Sequence, residues 1–329
     1  MNHECLAALA AVAGPSAVRA AGAADAIDGV QPAAVVEPDT PEGVARVLAS
    51  ASDARLSVVI RGSGTKMSWG RVPAAIDLVL GTRRLARVIS HAHSDLTAEV
   101  QPGVRLDAMN RELATQRQWL PLESAFEHAT IGGTLATNDA GAIQHRFGTP
   151  RDLLIGVHLA TTDGRIVKAG GNVVKNVAGY DLGKLVTGSF GSLAAIVSAT
   201  FKLTPLSGAV GTQTFTFTDR TAATGAVNAL TDSQLDPIAL DVRAGSGVPG
   251  SGEPRVGILV RFASTARVVE AEMTKAAELM DRFESRAGDP VLGANDEALW
   301  RMQRARAWDG SGAVIKVSWL PASLEAVLA

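Results

Sequence analysis

The sequence predicts an α+β protein in two parts, and three observations carry that reading. Up to Pro205 strands and helices alternate around three glycine-rich clusters. Beyond about residue 208 the texture changes to a compact βαββα series. The length of 329 residues suits two domains and a substantial core, and the 47% hydrophobic content is mostly small, with aromatics only 4%. A net charge of −2 offers no basic face for nucleic acid. The single cysteine, Cys5, excludes an internal disulfide, a CxxC zinc site and an iron–sulfur cluster ligated within the chain. Redox chemistry here would need a bound organic cofactor.

No apolar run approaches the ~18 residues needed to span a bilayer. The first residues carry Glu4 and no Lys or Arg ahead of their apolar stretch, so the charged start of a signal peptide is missing. Residues 4–12 read as a short helix within an N-terminal helical segment, 1–31, of a cytoplasmic chain. "DTPEGVARVLASA" is a helix start, with Thr40 placed to cap, Pro41 at the first helical position and Val44, Val47, Leu48 and Ala51 on one stripe. Strands follow over Leu56–Ile60 and in "AIDLVL", then two more around a turn at Ser94-Asp95. "RLDAMNRELATQ" is a helix with Leu106, Met109 and Leu113 on one side.

Residues 129–150, rich in Gly, Thr, Ala and Asn, show little periodicity and read as a long ordered functional loop. "LLIGVHLATTDGRIVKAG" is a hairpin turning at Asp163-Gly164, "AGYDLGKLVTGSFG" a short helix ending at Gly188, and "LAAIVSATFKLTP" a strand closed by Pro205. In the second part, "GTQTFTFT" alternates strictly, a helix covers 220–231, and strands cover 237–243 and "RVGILVRF". "GSGVPGSGEP" reads as a flexible turn. Ala266, Val269, Met273, Ala276, Met280 and Phe283 then form one face of an amphipathic helix, giving a sheet with helices on one face. The chain closes on "AVIKVSWLPASLEAVLA", a strand and a helix barely begun, as in a truncated or reduced domain.

"VVIRGSGTKMSWG" poses the functional question. The spacing around Lys66 is wrong for a Walker loop, and Met67 stands where a GxGxxG fingerprint needs its third glycine. Gly62 and Gly64 still free the backbone to turn N–H groups onto an anion, with hydroxyls on Ser63, Thr65 and Ser68. Alone, the loop suits a phosphate cradle or an ordinary tight turn equally. Two further clusters, Thr130 to Gly141 and Gly188-Ser189-Phe190-Gly191-Ser192, favour a large phosphate-bearing ligand.

These three motifs, in this order, resemble the FAD-binding domain of the vanillyl-alcohol-oxidase (PCMH-type) flavoproteins. "RGSGTKMSWG" with "KNVAGYDLGKLVTGS" is most similar to the FAD-binding subunits of bacterial glycolate oxidases. The resemblance implies a two-subdomain FAD-binding domain over 32–206; the region over 209–329 resembles the family's α+β cap or substrate domain only in its pattern of elements, and reads as a short one, truncated or reduced. It implies that Arg61, Gly62, Ser63, Gly64, Thr65 and Lys66 cradle the FAD pyrophosphate. Thr130, Ile131, Gly132, Gly133, Thr137, Asn138 and Gly141 would line the cofactor, with Gly188, Gly191 and Ile196 completing the site. Relatives that attach FAD covalently use a histidine where Thr65 stands, so FAD is expected to be non-covalent. The family usually has glycine at the position of Ala194.

In such a protein the flavin accepts the hydride, and the chain supplies orientation and a base. All six histidines lie in the first half, and no histidine cluster for a metal is apparent. His145, Arg146 and Tyr180 are the catalytic candidates, with Arg243 and Arg261 as further carboxylate clamps. Each has a plainer reading: His145 as a loop hydrogen-bonding residue, Tyr180 as a packed helix residue with a satisfied hydroxyl. His91 and His93, two apart on one strand, read as surface residues. The resemblance implies oxidation of a small 2-hydroxy acid such as glycolate. It also implies a second FAD subunit and an iron–sulfur subunit as partners, and contact with the inner membrane face only through them. The rivals are a non-catalytic flavin relay or assembly subunit and a stand-alone FAD oxidase of an alcohol or sugar acid.

Overall fold

The computed structural model describes residues 3–173, 179–245, 255–308, 310, 313–315, 317, 320 and 323–328. The chain forms two compact units, Met1–Ala140 with Gly148–Leu206, and Gly141–Phe147 with Ser207–Ala329. Among the described residues no helix is long and apolar enough to cross a membrane.

The first unit opens with helix α1 (His3–Ala13), strands β1 (Val18–Ala20) and β2 (Ala34–Val36), and helix α2 (Pro41–Asp53). Thr40 caps α2 as its sequence predicts, its Oγ1 accepting from the Gly43 amide at 3.0 Å. Strands β3 (Val58–Arg61) and β4 (Leu78–Gly81) complete a sheet of order β1-β2-β4-β3, in which β4 runs parallel to both β2 and β3. Leu9 of α1 and Val44, Val47 and Leu48 of α2 are buried against Val36, Leu78 and Leu80. Residues 1–31 are therefore not a separate helical segment: β1 pairs with β2, and α1 packs on α2 as part of this core.

The second sheet of this unit is antiparallel throughout. It comprises β5 (Val88–Ala92), β6 (Thr97–Val100), β8 (Leu154–Ala160), β9 (Ile166–Gly170) and β10 (Ala195–Lys202), ordered β5-β6-β10-β8-β9. The predicted hairpin turns at Gly164, where φ is 81°. β7 (Gln118–Trp119) pairs with β11 (Thr204–Pro205). Helix α3 (Leu106–Ala114) buries the predicted Leu106, Met109 and Leu113.

Residues 129–150 depart from the expected long loop. They contain helices α4 (Ile131–Thr137) and α5 (Gln144–Phe147), and α6 (Pro150–Leu153) begins at their end. The glycines hid a short apolar face in α4: Ile131, Thr134 and Leu135 are buried, and Thr130 is its N-cap. Helix α7 (Leu182–Val186) is shorter than its sequence pattern, and Lys175 and Asn176 of "KNVAGYD" lie outside the described residues.

The second unit carries β12 (Ala209–Phe217), α8 (Arg220–Thr231), β13 (Ala239–Gly245), β14 (Arg255–Ser264) and α9 (Ala266–Asp281). Short strands β15 (Arg286–Ala287) and β16 (Val291–Leu292) both pair with β12 in a sheet of order β13-β14-β12-β15. Phe215 and Phe217 of β12 and Ile258, Val260 and Phe262 of β14 bury one face of the sheet under α8 and α9. Helices do not keep to that face alone. Helix α10 (Gly293–Ala305) covers the other, where buried Trp300 donates to Thr212 Oγ1 at 2.7 Å and Asp296 takes the Arg261 guanidinium. The expected C-terminal strand does not form at Ala313–Ile315, and Lys316, Ser318 and Trp319 lie outside the described residues. Helix α11 (Leu324–Leu328) follows and packs on α8. The glycine-rich turn at 246–254 also lies outside the described residues.

Candidate cofactor site

β3 delivers Arg61 to the edge of its sheet and there turns into the glycine loop. The Arg61 side chain is tied away by Asp25, whose Oδ1 sits 2.8 Å from Nη2. Asp25 is itself buried, accepts two bonds from Arg19 at 2.7 and 2.8 Å, and accepts the Gly22 amide. The Arg19 hydrogen bonds, then those of Arg61 and Gly22, hold its carboxyl far below the usual carboxylate range against the cost of burial. The loop is thus anchored at its first residue by side chains and presents backbone beyond it.

Gly62 is glycine because of a neighbour: a Cβ there would fall 2.2 Å from Thr130 Oγ1. Gly64 is glycine because of its backbone, at φ 78°. Among the described residues the amides of Ser63, Gly64 and Thr65 donate to no protein acceptor. Successive free amides around a left-handed glycine form an anion-binding concavity.

The start of α4 is arranged differently. Its first amides are already satisfied, Ile131 N by Val104 O and Gly132 N by Pro102 O, both at 2.8 Å, and Gly133 N by Thr130 Oγ1 at 3.4 Å. Gly132 serves close packing, since a Cβ would meet Pro102 Cβ at 2.6 Å. Thr137 Oγ1 bonds back to Gly133 O at 2.8 Å. Asn138 closes the helix in the left-handed region, and its buried Oδ1 has no hydrogen-bond partner. The third cluster docks on the same helix end: Gly188 N donates to Leu135 O at 3.0 Å and Phe190 N to Ala136 O at 2.8 Å.

Together these segments enclose a cleft. Five residues expected from the sequence line it: Gly62, Gly132, Gly133, Gly191 and Ile196. The walls also contain Ile60, Thr82, Pro102, Ala136, Ser189, Phe190 and Ala194. Arg61, Ser63, Gly64, Thr65, Lys66, Thr130, Ile131, Thr137, Asn138 and Gly188 belong to the same loops and flank the cleft rather than line it. Gly141 belongs to the second unit.

Lys66 points into the protein. Its buried Nζ lies 3.0 Å from Asp139 Oδ2, an ion pair whose alignment falls short of a hydrogen bond. Trp69 and Phe126 flank it, with ring centroids at 5.8 and 5.5 Å. Burial pushes the Lys66 ammonium below its ordinary pKa, and Asp139 opposes that shift. Ser124 Oγ donates to the same Asp139 oxygen at 2.6 Å. The pair links the glycine loop to the end of α4.

The catalytic candidates do not gather here. His145 and Arg146 lie on α5 in the second unit, and Arg146 ion-pairs with Asp236. Tyr180 is 91% exposed, so the packed position expected for it is not what the structure shows. Arg261 is held by Asp296 and Glu297, each at 2.8 Å, and stacks 5.7 Å from the Trp300 ring. Arg243 sits 3.9 Å from Asp241, whose carboxyl burial pushes up while Gln303 donates to it. His91 Nε2 pairs with Gln118 Oε1 at 2.9 Å. Among the described residues no group of three His, Cys, Asp or Glu could hold a metal ion.

A cleft walled by small and apolar residues, with free amides beside it and an orphaned buried amide oxygen, has the chemistry to receive part of a dinucleotide, a planar ring in the cleft and phosphate at the amides. Residues 32–170 match the family described as FAD binding domain. It is 35% identical to the glycolate oxidase subunit GlcD of Bacillus subtilis, over 53% of this chain and 37% of that protein. It is 34% identical to a D-lactate dehydrogenase of Archaeoglobus fulgidus, over 52% of this chain and 38% of that protein. The glycolate oxidase subunit GlcE of Escherichia coli is 33% identical over 45% of this chain and 42% of that protein. The chain thus spans less than half the length of these relatives. Among solved structures, an alkyldihydroxyacetonephosphate synthase superposes with a TM-score of 0.77 at 17% identity, covering 93% of this chain and 64% of that one. A carbohydrate oxidase from Microdochium nivale gives 0.66 at 19%, over 91% and 64%. At such identities these two show the fold alone.

Proposed function

We propose that the chain is an FAD-dependent oxidoreductase subunit that oxidises a small 2-hydroxy acid, such as glycolate, to the 2-oxo acid. The glycine-built cleft of the FAD binding domain carries the reading, and the relatives named for glycolate and D-lactate support the substrate class. The free amides of Ser63, Gly64 and Thr65 hold the pyrophosphate, and Gly62 and Gly132 let the loops close around it. Ile60, Ala136 and Ile196 provide apolar walls for a ring. Thr65 has no imidazole, so the cofactor is held without a covalent bond. When bound, FAD supplies the hydride acceptor. Electrons then pass to a separate iron–sulfur subunit, with a second FAD subunit in the same assembly.

One observation favours a second reading, a flavin relay or assembly subunit. Arg146 and Arg261 are committed to ion pairs, and Tyr180 projects into solvent. The test of both starts from the absorption spectrum of the purified chain and of its supernatant after acid precipitation. Flavin released as FAD supports the non-covalent site. A colourless chain that also takes up no added FAD, alone or with partner subunits, refutes it. Anaerobic bleaching by glycolate or D-lactate supports the self-contained enzyme, and bleaching only with partner subunits present supports the relay.

A further inference from the structure

The aromatic side chain at the cleft has no evident structural task. Phe190 lines the cleft, yet 53% of its surface is exposed. Its backbone sits in the left-handed region at φ 54°, between Gly188 at 79° and Gly191 at 72°. A bulky residue is unfavourable there, and either glycine neighbour would be cheaper in its place. The turn is nonetheless held firmly. Phe190 N donates to Ala136 O at 2.8 Å, Ser189 N to Val186 O at 3.1 Å and Ser192 N to Ser189 O at 3.0 Å. A strained backbone, fixed by hydrogen bonds, presents a large ring that packs poorly against its own protein. Such strain persists where it positions a side chain for a ligand.

We propose that Phe190 is a stacking residue of the cofactor cleft, its ring lying against a planar heteroaromatic ring of the bound dinucleotide. The inference rests on the FAD site and adds a residue to it that the glycine pattern alone does not predict. The cleft it shares with Gly62, Gly132 and the apolar Ile60 and Ile196 has no charged side chain in its lining, as a stacked ring requires. Adenine and isoalloxazine share that chemistry, and separate probes tell them apart.

Apoprotein is titrated with FAD, FMN and ADP by calorimetry, for the parent and for Phe190→Leu, Phe190→Trp and Phe190→Gly. Stacking on an aromatic ring predicts that Leu and Gly weaken FAD binding by about 5- to 150-fold, while Trp preserves it. Loss for FAD and ADP but not FMN assigns the adenine, and loss for FAD and FMN but not ADP assigns the flavin ring. Relief of the left-handed strain predicts that apo Phe190→Gly unfolds at a temperature no lower than the parent. A parent that binds FAD with all three variants equally tight overturns the proposal while leaving the site intact. A destabilised apo Phe190→Gly also overturns it, by showing the ring to be a structural prop. A parent that fails to bind FAD overturns the underlying site instead.

Discussion

Gly62→Ala tests the reason given for the first loop glycine. The added Cβ would fall 2.2 Å from Thr130 Oγ1, 3.3 Å from its Cβ and 3.5 Å from its Cγ2. The first distance is far inside the ~3.5 Å at which non-bonded contacts become favourable. The offending atom is the hydroxyl that caps α4, so Thr130 must rotate away and forfeit the cap, at about 1 kcal/mol. Residual overpacking adds about 1–3 kcal/mol. Together these give roughly 2–4 kcal/mol, or about 4–16 °C in Tm for a unit of this size. Thr130→Ala removes the clashing oxygen and costs only the cap, about 1 kcal/mol. In the double variant the remaining carbon at 3.3 Å can give by a few tenths of an ångström, so its cost should nearly match Thr130→Ala alone. The assay is thermal and urea unfolding of the four apoproteins. Additivity of the two substitutions within about 0.5 kcal/mol would falsify the close-approach argument.

Gly64 differs, because its nearest neighbour to a new Cβ lies at 3.5 Å and the cost is conformational. Gly64→Val should purify without flavin while Gly64→Asn, tolerant of the left-handed region, keeps its yellow colour; a yellow Val variant refutes the loop assignment. Asp25 has a folded pKa below its unfolded value, so its contribution is fully present above about pH 4 and is lost as pH falls through the folded pKa. Urea midpoints should therefore separate the parent from Asp25→Asn by about 1.5–3 kcal/mol at pH 7, with the gap starting to narrow only once the pH falls below about 4; a gap that stays constant on further acidification contradicts the ion network. Lys66→Met should cost about 3–5 kcal/mol by leaving the Asp139 carboxylate buried without its cation. Most of that loss should return in Lys66→Met/Asp139→Leu, and equal destabilisation in both backgrounds would show that the pair is not coupled.

The sequence made the second unit's sheet readable because one face of β12 and β14 is buried, which forces a period of two. Helix α9 was readable for the same reason at period 3.6, and α2 because Thr40 and Pro41 mark its start. Helix α4 escaped notice because its stability comes from one cap and three buried residues set among glycines of low helix propensity. Helix α10 buries Asp296 and Trp300, so its contact with the sheet is a polar network and leaves no apolar stripe to detect. The cofactor loops were legible because glycine is conspicuous where a Cβ cannot fit. The cleft walls were not, since Ile60 or Ala136 looks like any core residue until the fold places it. Arg146 and Arg261 looked available as clamps because their partners lie 90 and 35 residues away along the chain.

The division of the chain has a consequence for its synthesis. Gly141–Phe147 belongs to the second unit although the residues on either side of it belong to the first. Helix α5 packs on β13, and Arg146 emerges from the ribosome 90 residues before Asp236, its partner. The second unit therefore cannot finish folding as an independent C-terminal module. Its earliest piece must wait, already threaded through the first unit's sequence, until the strand it packs on has been made. A gene fragment starting at Ser207 would encode a sheet missing that helix, so swapping this unit between relatives requires two grafts rather than one.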